Sequence, residues 1–83
     1  LPTYEVLGQT FLEMANPAAA VRTLERALEA DFAVEDELLG IYYYLGQAYE
    51  SVGRKDRAVE FYDRVFSLDI NFADVTERLR ALR

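Results

Sequence analysis

Cysteine and histidine are both missing from this 83-residue chain. Without thiols there is neither a disulfide framework nor a thiolate metal site, and nothing follows about redox compartment. The same double absence removes the commonest general base, the commonest zinc ligands and the thiol nucleophile, so no enzyme, metal or cofactor is expected. Proline and glycine are scarce, at 2 and 4 residues. Few interruptions and little turn chemistry favour long helices over many short strands, and the predicted class is all-α. The glycines are isolated, so no phosphate-cradling loop, nucleophile elbow or calcium loop can be assembled from them. No apolar run approaches the roughly 20 residues that cross a bilayer, and no basic-then-apolar leader is present. The segment is therefore expected to be soluble and not inserted in a membrane, with the cytoplasm the favoured compartment.

What is present describes a small folded unit. Apolar residues make up 52% of the chain and charged residues 29%, a globular balance, and the length leaves room for one domain with a small core. The net charge is −6, with acids concentrated in the first half, where Arg22 and Arg26 are the only bases up to residue 41. Phosphate contacts need a basic stripe, so nucleic acid is not an expected partner; a protein surface of basic character fits better. The opening Leu1-Pro2, without Met, reads as an excised piece of a longer protein. Arginine outnumbers lysine 8 to 1, which points to a GC-rich bacterial source.

The chain repeats itself. Tyr4-x-x-Leu7-Gly8-x-x-Phe11 returns as Tyr42-x-x-Leu45-Gly46-x-x-Tyr49, a shift of 38 residues, and the register continues through Gln9 and Gln47, Ala20 and Ala58, Val21 and Val59, Leu24 and Tyr62, Ala27 and Val65. The unit itself spans about 34 residues. The remaining four fall in the polar stretch around Glu35, Asp36 and Glu37, an insertion where connections tolerate one.

Within each unit the apolar period is helical. Ala20, Val21, Leu24, Ala27 and Leu28 recur at spacings of three and four, with Arg22, Glu25, Arg26 and Glu29 on the other face. Asn16 followed by Pro17 marks a helix start, and Gly53 a helix end. Val75, Leu79 and Leu82 align on one side of a final segment, with Asp74, Glu77, Arg78 and Arg80 on the other. The spacing predicts helices at about 2–14, 17–30, 37–52, 55–68 and 73–82, joined as antiparallel hairpins and closed by the fifth.

These positions resemble the tetratricopeptide repeat. Its pattern of aromatic, Leu-Gly, aromatic, Ala, large and small residues is matched by Tyr4, Leu7, Gly8, Phe11, Ala20, Leu24 and Ala27, and again by Tyr42, Leu45, Gly46, Tyr49, Ala58 and Tyr62. The resemblance implies a short right-handed superhelix of about five helices in one domain over 1–83: repeat one at about 1–34, an inserted connection at about 35–38, repeat two at about 39–72 and a capping helix at about 73–83. In it the glycine and alanine notches admit the neighbouring helix and the large residues fill the gaps. Phe32 and Ile70 replace the family's usual proline and Val65 is larger than the usual Ala, which implies an altered angle between hairpins.

The same resemblance implies a non-catalytic scaffold that binds a protein or peptide through its concave face, carried here by Glu5, Gln9, Leu12, Glu13, Tyr43, Gln47 and Glu50. Family members that clamp a C-terminal carboxylate use Lys, Asn and Arg at such places, where this chain has Glu5, Gln9, Tyr43 and Gln47, so a helical or extended peptide with basic and apolar groups is expected instead. Three successive tyrosines spread over about 200° of a helix. Tyr42 takes the packing position, leaving Tyr43 or Tyr44 either as an exposed contact residue or packed on the neighbouring hairpin. Asp36 with Glu37, and Asp69 with Asp74, are read as acids at helix starts, where the dipole favours them, rather than as catalytic pairs. The alternative role is a spacer or self-association segment in a longer array. Two repeats bury little, and weak homodimerisation is compatible with so small a core.

Overall fold

A computed structural model describes residues 3–29 and 35–82; the side chains of residues 35–37 are not part of that description. Leu1, Pro2, Phe32 and the part of the connection at 30–34 lie outside the described residues. Five helices follow one another: α1 (Tyr4–Glu13), α2 (Pro17–Glu29), α3 (Glu35–Ser51), α4 (Lys55–Leu68) and α5 (Val75–Leu82). α1 pairs with α2 and α3 with α4 as antiparallel hairpins; α2 and α1 both lie against α3, and α5 packs on α4. Among the described residues there is no strand.

The hairpin turns have a common physical origin. α1 starts at Thr3, whose hydroxyl accepts the Val6 amide at 3.1 Å. It ends where Ala15 turns left-handed at φ 59°, with the Ala15 amide donating to Leu12 and the Asn16 amide to Phe11, the double bond that satisfies the last carbonyls of a helix. Asn16 then accepts from Ala19 through Oδ1 at 3.3 Å and starts α2. The second hairpin repeats the arrangement one unit later, with Gly53 at φ 84° and bonds from Gly53 to Glu50 and from Arg54 to Tyr49.

One of these two turns is strained and the other is not. An alanine in the left-handed region costs about 1–2 kcal/mol, against the roughly 0.5–1 kcal/mol that glycine loses in chain entropy on folding. Ala15→Gly should therefore stabilise the domain by about 0.5–1 kcal/mol and raise its melting temperature by about 4 °C in a circular dichroism melt; an unchanged or lower value would contradict this.

Two helix starts and the placement of one acid differ from expectation. α3 begins at Glu35 rather than 37, so the residues expected to form an inserted connection lie in its first turn, where a run of acids is favourable. α5 begins only at Val75, because Ala73 sits at φ 47° and cannot be helical. Asp69 is not at a helix start but follows the end of α4, where its carboxylate accepts the Asn71 amide at 3.0 Å.

The core runs through both hairpins to the closing helix. Leu24, Ala27, Ile41, Leu45, Ala58, Tyr62, Val65 and Val75 are fully buried, as is Ala20. Each large one contributes about 1.5–3 kcal/mol relative to exposure. Tyr49 stacks parallel to Phe61 at 5.7 Å, with Arg57 above both rings. Tyr4, Leu7, Phe11 and Tyr42 are half-buried. The two notches are occupied as helix approach demands: a methyl placed on Gly8 would lie 2.6 Å from Leu24 Cδ2, and one on Gly46 2.5 Å from the Tyr62 ring.

Candidate functional site

The first helices of the two hairpins run side by side, and between them lies a surface depression of about 450 Å³. Gln9, Leu12 and Glu13 of α1 line one bank; Tyr43, Tyr44 and Gln47 of α3 line the other. Gln47 also borders a second depression, of about 410 Å³, formed with Glu50, Ser51 and Arg78. The two make a trough that crosses α1, α3 and α5. The 3.6-residue period explains the lining: Gln9, Leu12 and Glu13 share one face of α1 over about one turn, and Tyr43, Gln47 and Glu50 share one face of α3 over about two.

Of the seven expected contact residues, six thus meet in the trough. Glu5 lies elsewhere, with its carboxylate directly against Gly40 where α1 and α3 pass. A Cβ on Gly40 would collide with that carboxylate.

Of the two readings open for Tyr43 and Tyr44, exposed or packed, the structure takes the packed one. Tyr43 is only 8% exposed, and Tyr44 is half-buried against it, their rings 5.6 Å apart. The reason is α5. The connection that leads into it puts Phe72 at 5.6 Å from the Tyr43 ring, opposite Tyr62 of α4 at 6.0 Å, and gives the Tyr43 hydroxyl a partner in Asp74 Oδ1. Arg78 Nε donates to the same hydroxyl at 3.1 Å and to Asp74 at 3.0 Å.

Arg78 also joins the closing helix to the second hairpin. Its Nη1 donates to Glu50 Oε1 at 3.3 Å, and the Tyr62 hydroxyl donates to the same oxygen at 3.0 Å. Glu50, Tyr62, Tyr43, Asp74 and Arg78 therefore form one polar network across α3, α4 and α5. Among the described residues no buried side-chain polar atom lacks a partner, as native interiors require. Sequence reasoning missed Arg78 and Asp74. They belong to a segment outside the 38-residue repeat, and the helical period assigned them only to a polar face.

The network sets the protonation states. Burial, then the bond to Asp74, raises the Tyr43 phenol above its ordinary value. The Tyr43 hydroxyl, with Arg78, holds the Asp74 carboxyl below the usual carboxylate range. Burial raises Tyr62 most of all. Tyr44 is raised by burial and by the charges of Glu5 and Glu13. Between the two hairpins, Tyr49 of α3 donates to Glu25 of α2 and is likewise raised, chiefly by burial.

The lining of the trough is mixed in character. It offers two side-chain amides, a leucine, the edges of two aromatic rings, and the carboxylates of Glu13 and Glu50. Its one cation, Arg78, is already engaged by Glu50 and Asp74. Among the described residues no group of three acids could hold a metal ion, and no described helix is long and apolar enough to cross a membrane.

Two models of the tetratricopeptide repeat match the sequence, one over residues 1–33 and the other over 40–72. No curated protein matches.

Proposed function

The chain belongs to the tetratricopeptide repeat family, a family of non-catalytic protein-interaction modules, and from that premise we propose that its trough binds a peptide segment carrying basic and apolar groups. The fold alone would not say so, since one fold serves many roles. The observation that carries the reading is the balance of groups in the trough. Gln9 and Gln47 occupy equivalent places in the two units and offer amides to a peptide backbone. Leu12 and the ring of Tyr44 supply apolar contact. Glu13, together with Glu50 and Asp74 set against the single charge of Arg78, leaves the trough net negative. Tyr43 acts here through its buried ring, as the floor of the trough, rather than as a projecting anchor.

The test uses two synthetic amphipathic peptides, one of arginine and leucine, the other of glutamate and leucine, titrated calorimetrically into the protein. The basic peptide should bind, and more weakly as salt rises. Glu13→Lys with Gln47→Lys should reduce its affinity by about tenfold without changing the melting temperature. Equal binding of both peptides, or indifference to the double substitution, would overturn the proposal. Absence of binding together with mass that grows with concentration would favour the spacer or self-association role, to which the exposed Phe66, Leu68 and Ile70 at the far end of the stack lend some support.

A further inference from the structure

Where a tyrosine of the second hairpin meets a carboxylate, an arginine completes the group. The Tyr49 hydroxyl donates to Glu25, and Arg57 lies 5.4 Å from the centre of the Tyr49 ring and 3.8 Å from the same carboxylate. Tyr43 donates to Asp74, and Arg78 lies 5.7 Å from the Tyr43 ring centre and bonds to the same acid at 3.0 Å. Tyr62 donates to Glu50, which Arg78 also meets. The Tyr42 ring is covered by Arg64, at 5.6 Å, itself paired with Glu60. Each grouping joins an aromatic face, which attracts a cation lying on it, to a carboxylate that fits the guanidinium fork.

Tyr44 is the remaining tyrosine of α3, and its grouping lacks the third member. Burial raises its phenol, and so do the charges of Glu5 and Glu13, with no arginine to offset them as Arg78 does at Tyr43 and Arg57 at Tyr49. Among the described residues no guanidinium covers the Tyr44 ring, and Glu13, which is exposed, enters no ion pair. Beside them lies the open depression of about 450 Å³, with Gln9 and Leu12 on the α1 side and Gln47 on the α3 side.

We infer that this depression is an arginine subsite: the guanidinium of one arginine of the bound peptide lies on the Tyr44 ring and donates to Glu13, and its methylene stem runs over Leu12. The inference rests on the proposed peptide-binding role of the trough and adds which basic residue is read there. Arginine is preferred to lysine, because a planar cation stacks on a ring while engaging a carboxylate through two N–H groups, whereas an ammonium is a compact, more strongly hydrated charge. Gln9 and Gln47 offer amide oxygens to the remaining N–H groups.

The probes are three amphipathic peptides of one pattern, with leucine as the apolar residue and arginine, lysine or citrulline as the polar one, titrated calorimetrically into the 83-residue protein. The arginine peptide should bind about fivefold more tightly than the lysine peptide, and citrulline, which keeps the shape of arginine without its charge, more weakly than either. Tyr44→Leu leaves an apolar side chain in the depression and should remove the preference for arginine over lysine. Glu13→Gln, at an exposed position that the fold does not use, should weaken the arginine peptide about fivefold. In the unsubstituted protein the ring resonances of Tyr44 should shift on adding the arginine peptide, while those of Tyr42, already under Arg64, should not. A lysine peptide that binds as tightly as the arginine one, or a Tyr44 ring that does not respond, overturns the subsite and leaves the peptide-binding role standing. If none of the three peptides binds, the broader role fails and the subsite with it.

Discussion

Gly46→Leu is expected to abolish the folded domain at physiological temperature. The Cβ of any residue placed there would lie 2.5 Å from the Tyr62 ring, closer than non-bonded carbons approach. Tyr62 cannot move aside: its ring is wholly buried, it lies against Tyr43, and its hydroxyl is tied to Glu50. The substituted residue would gain about 1 kcal/mol in helix propensity over glycine. Overpacking of a close-packed core costs about 1–3 kcal/mol for added methylenes that can be partly accommodated, and leucine adds four carbons where even the first finds no room. The net loss should be at least about 3 kcal/mol, a fall of roughly 15 °C in melting temperature for a domain of this size. Gly8→Leu should cost less: Leu24 is as fully buried as Tyr62, but the atoms in the way are the end of a short aliphatic branch with no hydrogen bond to hold it, which shifts in less space than an anchored ring. A circular dichroism melt of the two variants checks both the size and the order; a Gly46→Leu protein that melts like the parent would remove the central packing argument.

Alkali should unfold the protein through its tyrosines. Burial raises the Tyr62 phenol well above its ordinary value of 10.0, and Tyr43 and Tyr49 are raised as well, burial again being the main cause. In the unfolded chain each ionises near its ordinary value. Above that pH the folded state holds protons that the unfolded state has lost, so the contribution to stability is complete below about pH 10 and falls as pH rises toward the folded values. Through that window Tyr62 removes about 1.4 kcal/mol of stability per pH unit, Tyr43 and Tyr49 act in the same direction, and a small domain with a net stability of only about 5–15 kcal/mol has little to spare. Tyrosinate absorbance and helical circular dichroism should then change together in one transition. Tyr62→Phe should move that transition to higher pH, while costing about 1 kcal/mol at neutral pH for the lost bond to Glu50. Tyrosinate that appears with a midpoint near pH 10 while the helices persist would contradict this account.

Much of the fold was legible in the residues because it depends on local rules repeated twice. The 38-residue register placed small residues at Gly8, Ala20, Gly46 and Ala58, and the helical period separated Leu24, Ala27 and Val65 from the charged residues around them. Asn16-Pro17 and Gly53 marked the turns through backbone chemistry that no neighbour alters. Ala15 was not legible as a turn residue, since alanine is a helix former and only the closing bonds to Phe11 and Leu12 hold it left-handed. The start of α3 was misplaced for a related reason: a polar, acidic stretch serves equally as a loop or as the first turn of a helix.

By itself, then, the sequence determined the class, the count and pairing of helices, and the groups available to a trough along α1 and α3, because periodicity and capping act over distances of a turn or two. Only tertiary structure decided which of three adjacent tyrosines would be covered, that Arg78 and Asp74 would complete the polar network, and that Glu5 would be withdrawn against Gly40. Those outcomes depend on where α5 and α3 come to rest, and contacts between residues more than thirty positions apart are set by how whole helices pack, which no local pattern encodes.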